Sequence, residues 1–259
     1  MEIILDNVSY DVKVMDEKLL NVSYTFSSGI TFCSGLSGKV IKELLFQEKK
    51  ISAGYVMVSG KAKVYDVCYV GDEVSFSKET IYQELVYLND YYKLGYKDIE
   101  KRIINALKIC DVSLDWMNVK FDNMSEEMLK LMQLVKGMFL KSKIFLLDYF
   151  DKGMDDKDVN YVKKLLYKLN KMYNKSVIIF SNDLERYMSI VNDVVVFLDG
   201  KVVYKGDKSS FYDDKLYKYI DMPYIIHYVK YLEINGHKFD KYIDIKELLK
   251  AIFRDVENK

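Results

Sequence analysis

The chain has 259 residues, of which 50% are hydrophobic, and this suffices for one large domain with a substantial buried core. Its 39 Lys and Arg residues balance 39 Asp and Glu residues, so the formal net charge is zero and no global electrostatic case exists for binding nucleic acid. The three cysteines are scattered and fit neither a disulfide framework nor a CxxC metal site. The chain has only two histidines, which excludes most histidine-based catalysis.

The N-terminal residues and the hydropathy pattern predict a cytoplasmic protein. Residues 1–16 alternate polar and apolar side chains, so they lack the apolar region of a secretion signal. No stretch approaches the roughly 18 to 20 apolar residues that a membrane-spanning helix requires. We expect the chain to reach a membrane only through a partner. The cysteines are expected to pack in the core or on the surface, and no metal site is predicted.

The N-terminal part alternates strand-like segments with a glycine-rich turn. Strands are predicted at residues 2–10, 20–26 and 30–33, and the last runs directly into residues 34–39, Ser-Gly-Leu-Ser-Gly-Lys. A helix is predicted directly after Lys39. A strand, a glycine loop ending in lysine and then a helix is the context that a phosphate-binding loop requires.

The rest of the chain alternates apolar strand-like runs with helical patterns. Apolar side chains recur near the 3.6-residue period between residues 78 and 140, as in helices. Two continuous apolar runs, Ile144–Asp148 and 176–181, are typical of buried parallel strands. Other strands are predicted at 54–58, 63–70, 194–198 and 201–204, and helices at Asp156–Tyr173, 183–190 and throughout the segment after Pro223. This alternation predicts an α/β fold.

The predicted phosphate loop keeps some nucleotide-binding residues and lacks others. In such loops backbone N–H groups and the lysine bind phosphate, and the hydroxyl after the lysine holds Mg²⁺. Gly38 and Lys39 fit this pattern, whereas Cys33 stands at the first glycine and Val40 at the hydroxyl position. The loop residues predicted to contact a nucleotide are Gly35, Ser37, Gly38, Lys39, Val40 and Ile41.

Several segments, in their order and spacing, resemble the ATPase subunits of ABC transporters. Residues 51–60 are similar to the hairpin after the loop's helix, and residues 92–110 to the helical subdomain. Residues 144–149 match the Walker B strand, 153–155 the D-loop, and 180–183 the Thr-His-Asp switch. The Leu-Ser-Gly-Gly-Gln signature is replaced by Met124, Ser125, Glu126, Glu127 and Met128. The resemblance extends over essentially the whole chain.

The resemblance implies a P-loop NTPase of the ABC cassette type, with a mixed β-sheet core. It implies a cassette at residues 1–220, with a helical subdomain at about 72–142, and a C-terminal helical extension at 221–259. The extension is similar to that of the energy-coupling-factor (ECF) ATPases, which drive the uptake of vitamins and metal ions in bacteria. The implied partners are a second ATP-binding cassette, in a homodimer or heterodimer, and a transmembrane coupling subunit; no nucleic acid is implied.

The residues that would hydrolyse ATP depart from the family pattern. The resemblance assigns Asp148 to nucleotide and Mg²⁺ binding, but Tyr149 stands where the family has the glutamate that activates water. A phenol, whose ordinary pKa is about 10, is a poor general base, and losing a base costs about 10² to 10⁴ in rate. Asn182 replaces the switch histidine, and the glutamine expected near residues 70–72 is absent. No intact catalytic residue is predicted.

The surfaces that would face adenine and a partner cassette also depart. Glu126 and Glu127 replace the paired glycines that approach the γ-phosphate bound by the opposite subunit, and two carboxylates would repel a triphosphate. The family's adenine-stacking aromatic falls nearer Val12 than Tyr10, which predicts that the base platform is lost. The residues that keep the family form are Gly38, Lys39, Ser125, Asp148 and Asp155.

Three interpretations of the function follow. The first is a degenerate ATPase subunit of an ECF-like transporter, peripheral on the inner face of the cell membrane, that transmits the closure of an active partner cassette. ATP binding through Lys39 is then expected to be weak and largely independent of Mg²⁺, without hydrolysis. The second is a soluble pseudoenzyme acting as a scaffold or regulator. The third is a divergent active ATPase with a displaced base, such as Asp151 or Asp183.

Overall fold

Strands and helices alternate along the chain in a computed structural model that describes residues 1–11, 18–71, 76–237 and 241–257. The strands are β1 Ile3–Asp11, β2 Lys18–Phe26, β3 Ile30–Ser34, β4 Ala53–Val58, β5 Val67–Val70, β6 Ile144–Asp148, β7 Ser176–Phe180, β8 Asp193–Leu198 and β9 Lys201–Asp207. The α-helices are α1 Gly38–Leu45, α2 Ile81–Tyr91, α3 Ile99–Ile109, α4 Glu126–Leu140, α5 Asp156–Tyr173, α6 Leu184–Tyr187, α7 Tyr224–Ile234 and α8 Ile245–Glu257.

A six-stranded sheet in the order β5-β6-β7-β3-β8-β9 forms the centre of the fold. Its first five strands are parallel, and β9 returns antiparallel to β8. All residues of β3, β6 and β7 are buried, which explains their mostly apolar sequences. A second sheet, β2-β1-β4, is antiparallel, and its apolar side chains pack with those of α1. The predicted α/β fold with a mixed sheet is confirmed.

The predicted strand 63–70 is only half a strand. Its first part, Val64–Asp66, forms a 3-10 turn, and β5 begins after it. The Asp66 carboxylate accepts the Lys63 N–H at 2.7 Å, so a local side-chain bond competes with strand pairing at this point.

The predicted helix 183–190 is likewise reduced, to the single turn of α6. The following chain has to join β8 beside β3, and Asn192 fixes that connection. Its N–H donates to Ile30 O at 2.8 Å, and its Oδ1 accepts the Ile30 N–H at 3.0 Å. A tertiary contact therefore ends the helix earlier than its sequence pattern indicates.

The segment after Pro223 was predicted to be helical throughout, but its described residues form two separate helices, α7 and α8. α7 stops shortly before Gly236, which adopts φ +88°, and the His237 N–H donates to Leu232 O at 3.1 Å. A left-handed glycine with such a bond is a common helix ending.

The helices pack on the sheet, and α7 and α8, which lie in the predicted C-terminal extension, pack with them. The larger buried cluster contains residues of α2 to α5 together with Ile225, Ile226 and Val229 of α7 and Leu248 of α8. The predicted helical subdomain 72–142 includes α2, α3 and α4, although residues 72–75 lie outside the described residues. The boundary between residues 220 and 221 stays a prediction. None of the described helices is long and apolar enough to cross a membrane.

Candidate phosphate-binding site

Two glycines shape the loop between β3 and α1. Gly35 has φ +75°, and a Cβ on it would lie 1.9 Å from Phe197 O. A Cβ on Gly38 would lie 2.7 Å from the Phe180 ring and 3.1 Å from the Cβ of Asp148. The loop backbone therefore approaches its neighbours so closely that a side chain at either position would displace it.

The Asp148 carboxylate, at the end of β6, lies against the N-terminus of α1. Its Oδ1 accepts the Gly38 N–H at 2.8 Å, and its Oδ2 accepts the Lys39 N–H at 3.0 Å. Ser37, the N-cap of α1, donates its hydroxyl to Oδ2 at 3.0 Å. The Tyr69 hydroxyl donates to the same oxygen at 2.9 Å. Four donors thus surround a carboxylate that is only 7% exposed.

The residues around the loop do not fit Mg²⁺. Val40 and Ile41 are fully buried in the apolar cluster beside α1, so no hydroxyl is available where a metal ligand would be needed. A cation could bind the Asp148 carboxylate only by displacing the N–H and O–H groups that donate to it. Burial, with a smaller effect from the Asp148 charge, raises the pKa of the Cys33 thiol well above its ordinary value, so this sulfur stays protonated.

The cysteines of this fold are core residues. They were expected to pack in the core or on the surface, and Cys33, Cys68 and Cys110 are all free and buried in the core. Within the part of the chain that the structure describes, no group of three or more His, Cys, Asp and Glu residues could hold a metal ion.

Tyr149 and Asn182 line an open cleft of about 790 Å³ at the same edge of the sheet. Tyr149 adopts a left-handed φ of +47°, and its N–H donates to Phe180 O at 2.9 Å. Asn182 is exposed, and its Oδ1 accepts the Ser34 hydroxyl at 3.2 Å. An amide does not ionise near neutral pH, so Asn182 cannot act as an acid or base as a histidine can.

Arg186 binds both carboxylates that could act as displaced bases. Its Nη1 lies 3.2 Å from Asp151 Oδ2, and its Nε lies 3.1 Å from Asp183 Oδ2. Asp183 also caps α6 by accepting the Arg186 N–H at 3.2 Å. These contacts give both aspartates structural partners, which opposes the interpretation of an active ATPase with a displaced base.

The segment Met124–Met128 begins α4. Ser125 is the N-cap and accepts the Met128 N–H at 3.3 Å. Glu126 and Glu127 occupy the first turn, where negative charge is favourable next to the helix dipole. The Ser125 hydroxyl and the Glu127 backbone N–H hold the pKa of the Glu127 carboxyl below its ordinary value. The positive end of α4 is therefore compensated by acids of the chain itself.

A buried lysine joins α4 to the segment before α5. Lys130 is 2% exposed, and its Nζ donates to Phe150 O at 3.2 Å and to Lys152 O at 3.4 Å. Asp155 then caps α5 by accepting the Asp158 N–H at 2.8 Å. The Lys130 side chain thus joins α4 to the loop between β6 and α5.

Solved structures with this arrangement of strands and helices identify the fold. The cbiO1 protein of Clostridium perfringens, part of the ABC transporter complex cbiONQ, gives a TM-score of 0.70 at 18% identity, over 88% of this chain and 98% of its own. MJ0796, a bacterial ABC transporter cassette with a dimeric structure, gives 0.65 at 17% identity, over 80% and 98%. The chain has the fold of an ABC-transporter ATP-binding cassette.

Curated proteins that match the cassette sequence are ATP-binding proteins of ABC transporters, although no protein-family model matches it. The galactose/methyl galactoside import protein MglA of Clostridium perfringens is 24% identical over 203 residues, which cover 73% of this chain and 39% of MglA. The ECF transporter protein EcfA2 of Mesoplasma florum is 21% identical over 237 residues, covering 83% and 75%. The chain matches only 39 to 50% of the length of the first relatives. The resemblance to ABC transporter subunits, ECF-type ones included, is confirmed.

The cassette brings only part of the predicted site together. The loop residues, Asp148, Tyr149 and Asn182 lie at one edge of the six-stranded sheet, as their places after β3, β6 and β7 require. The segment Met124–Met128 and Asp155 lie at the N-termini of α4 and α5 instead. Their roles toward a nucleotide stay predictions.

The predicted loss of an adenine platform concerns two residues near the N-terminus. Tyr10 is 3% exposed and belongs to the apolar cluster between the sheets, so its ring offers no stacking surface in this structure. Val12 lies outside the described residues.

The sequence pattern alone missed two residues. Tyr69 contacts Asp148 only because β5 lies beside β6, and nothing in its local sequence indicates that pairing. The burial of Lys130 could have been predicted from the sequence, because Lys130 lies one helical turn before the buried Leu134 and thus on the apolar face of α4. A lysine at such a position indicates a buried amine with carbonyl partners.

Proposed function

We propose that the chain is a non-hydrolysing ATP-binding cassette subunit of an ECF-like ABC transporter. It would lie on the inner face of the cell membrane and transmit the ATP cycle of a partner cassette to a transmembrane coupling subunit. One observation carries the proposal: the cassette fold is retained while Asp148 is bound by the loop itself and Val40 is buried. The chain thus has the cassette fold but offers neither a free Asp148 carboxylate nor a hydroxyl at position 40 to a metal-bound nucleotide.

The proposed ATP binding is weak and largely independent of Mg²⁺. The loop still presents Lys39 and a helix N-terminus, both of which favour phosphate. The relatives described above are ATP-binding proteins, and a second structure of MJ0796 is bound to ADP and Pi. Against this, the carboxylate at the loop repels a phosphate, so affinity well below that of an ordinary cassette is expected.

Exposed apolar side chains on the C-terminal helices support pairing with a second cassette. On α7 they recur at Tyr224, Tyr228 and Tyr231, away from the buried residues of the same helix, and Ile234 is 85% exposed. On α8 they recur every four residues at Ile245, Leu249 and Phe253. Such stripes are typical of helices that pack against a partner.

The isolated chain is expected to release no phosphate from ATP in the presence of Mg²⁺ above the level of a Lys39→Ala variant. Tyr149→Glu, which restores the missing base, is expected to stay equally inactive, because the metal ligand is still absent at Val40. Malachite-green detection of phosphate measures both. Turnover by the wild-type chain that Lys39→Ala removes would overturn the proposal in favour of a divergent active ATPase.

The partners are tested by affinity capture of the tagged chain from gently solubilised membranes of its native host, followed by mass spectrometry. We expect a second cassette with an intact glutamate after its Walker B aspartate, together with a membrane subunit. Recovery of soluble proteins alone would contradict the transport role. It would favour the alternative of a soluble pseudo-ATPase acting as a scaffold or regulator, which Glu126 and Glu127 favour because they oppose a shared triphosphate.

A further inference from the structure

We infer that Asp148 blocks the phosphate loop and that Tyr69 holds it there, so that a nucleotide binds only after this carboxylate has been displaced. The inference rests on the proposed function, since it explains why this cassette binds ATP weakly. Asp148 then occupies the phosphate-binding groups of the loop instead of binding a metal, and Tyr69 is a positioning residue.

The first argument is that the carboxylate and a phosphate compete for the same donors. A phosphate at the start of α1 needs the backbone N–H groups of Gly38 and Lys39. Those groups already donate to the two Asp148 oxygens, at 2.8 and 3.0 Å. A carboxylate there receives the same favourable potential from the helix N-terminus as a phosphate would.

The second argument is that the carboxylate is firmly held. It is 7% exposed, and two hydroxyls, from Ser37 and Tyr69, add to the two backbone donors. Hydrogen bonds to a charged acceptor are among the stronger ones in proteins. Displacement would cost all four bonds and leave a buried charge without partners.

The third argument concerns the space that two glycines provide. A Cβ on Gly38 would lie 3.1 Å from the Asp148 Cβ, so the glycine permits this close contact. A Cβ on Gly71 would lie 2.3 Å from the Tyr69 hydroxyl oxygen and 2.7 Å from the ring, so this glycine leaves room for the phenol to reach Asp148. Gly38 thus has a role in the contact between the loop and Asp148 even when no nucleotide is bound.

The inference is tested by measuring ATP binding to the full chain by calorimetry, in EDTA so that no metal contributes. Tyr69→Phe is expected to bind ATP about fivefold more tightly than the wild type, because the carboxylate loses one bond. Asp148→Ala is expected to bind at least about tenfold more tightly, because the competitor and its repulsion are gone. Tyr167→Phe, an exposed tyrosine of α5, is the matched control and is expected to leave affinity unchanged.

A spectroscopic readout separates blocking from a general structural role. In Tyr69→Phe, the amide resonances of Gly38 and Lys39 are expected to shift, and in both Tyr69→Phe and Asp148→Ala they are expected to respond to ATP. Equal or weaker ATP binding by both variants, with native circular dichroism, would overturn the inference. If Asp148→Ala fails to fold, Tyr69→Phe alone decides. Partner capture is an independent assay. If the ATP-binding results overturn the blocking role of Asp148, the transporter role still stands. If partner capture fails, the blocking role of Asp148 still stands.

Discussion

Replacing Gly35 by alanine is expected to lower the free energy of unfolding by at least about 4 kcal/mol. The new Cβ would lie 1.9 Å from Phe197 O, a backbone atom of β8 that cannot rotate away. The residue would also keep a φ of +75°, which L-residues adopt at a cost. Urea unfolding followed by circular dichroism measures the change.

Gly60→Ala is the matched control for that experiment. Gly60 also has a positive φ, +83°, but a Cβ there would meet no atom within 4 Å. The control should therefore report backbone strain alone, about 1 kcal/mol. If both variants lose equal stability, the close approach of the loop to β8 is not what requires glycine at position 35.

Replacing Lys130 by methionine is expected to cost about 2 to 3 kcal/mol, although the shape of the side chain is nearly kept. The buried Phe150 carbonyl would lose its donor, and an unpaired buried carbonyl is costly. The segment between β6 and α5 should also loosen, because Lys152 O is held by the same amine. Urea unfolding measures the first effect, and the rate of tryptic cleavage after Lys152 measures the second.

Lys164→Met, an exposed lysine in the middle of α5, serves as the comparison and should change stability by less than about 0.5 kcal/mol. Should Lys130→Met be as stable as this control, with unchanged cleavage at Lys152, then the amine does not hold the segment in place.

The central sheet could be predicted because its strands carry their own signal. Ile144–Asp148 and Asp156–Tyr173 have in the structure the bounds that their apolar patterns indicated, since a buried strand and an amphipathic helix differ in period. The predictions failed where a single contact overrode the pattern: the Asp66 carboxylate shortened β5, and Asn192 shortened α6. Those contacts depend on atoms brought together by the fold.

The candidate site was predictable only in its parts. Gly38 and Lys39 were assigned to a nucleotide site by the loop pattern, and Asp148 by the family resemblance. The three residues lie at one edge of the sheet, because parallel strands end together there. The sequence did not predict that the aspartate would bond to the loop, nor that Tyr69 would join it. That contact joins the ends of β5 and β6 to the loop after β3, with β7 lying between β6 and β3 in the sheet. An arrangement of strands so far apart in sequence has no local signature.

The place of β3 in the middle of the sheet sets the order in which this molecule can assemble. β1 and β2 form a hairpin whose partners are neighbours in the chain, but β3 pairs with β7 and β8. The bond that joins Ile30 to Asn192 spans 162 residues. Such non-local pairing is slow, so a nascent chain exposes the apolar β3 until β8 has been synthesised. During translation, the loop after β3 is therefore among the last parts of the cassette to take its final shape.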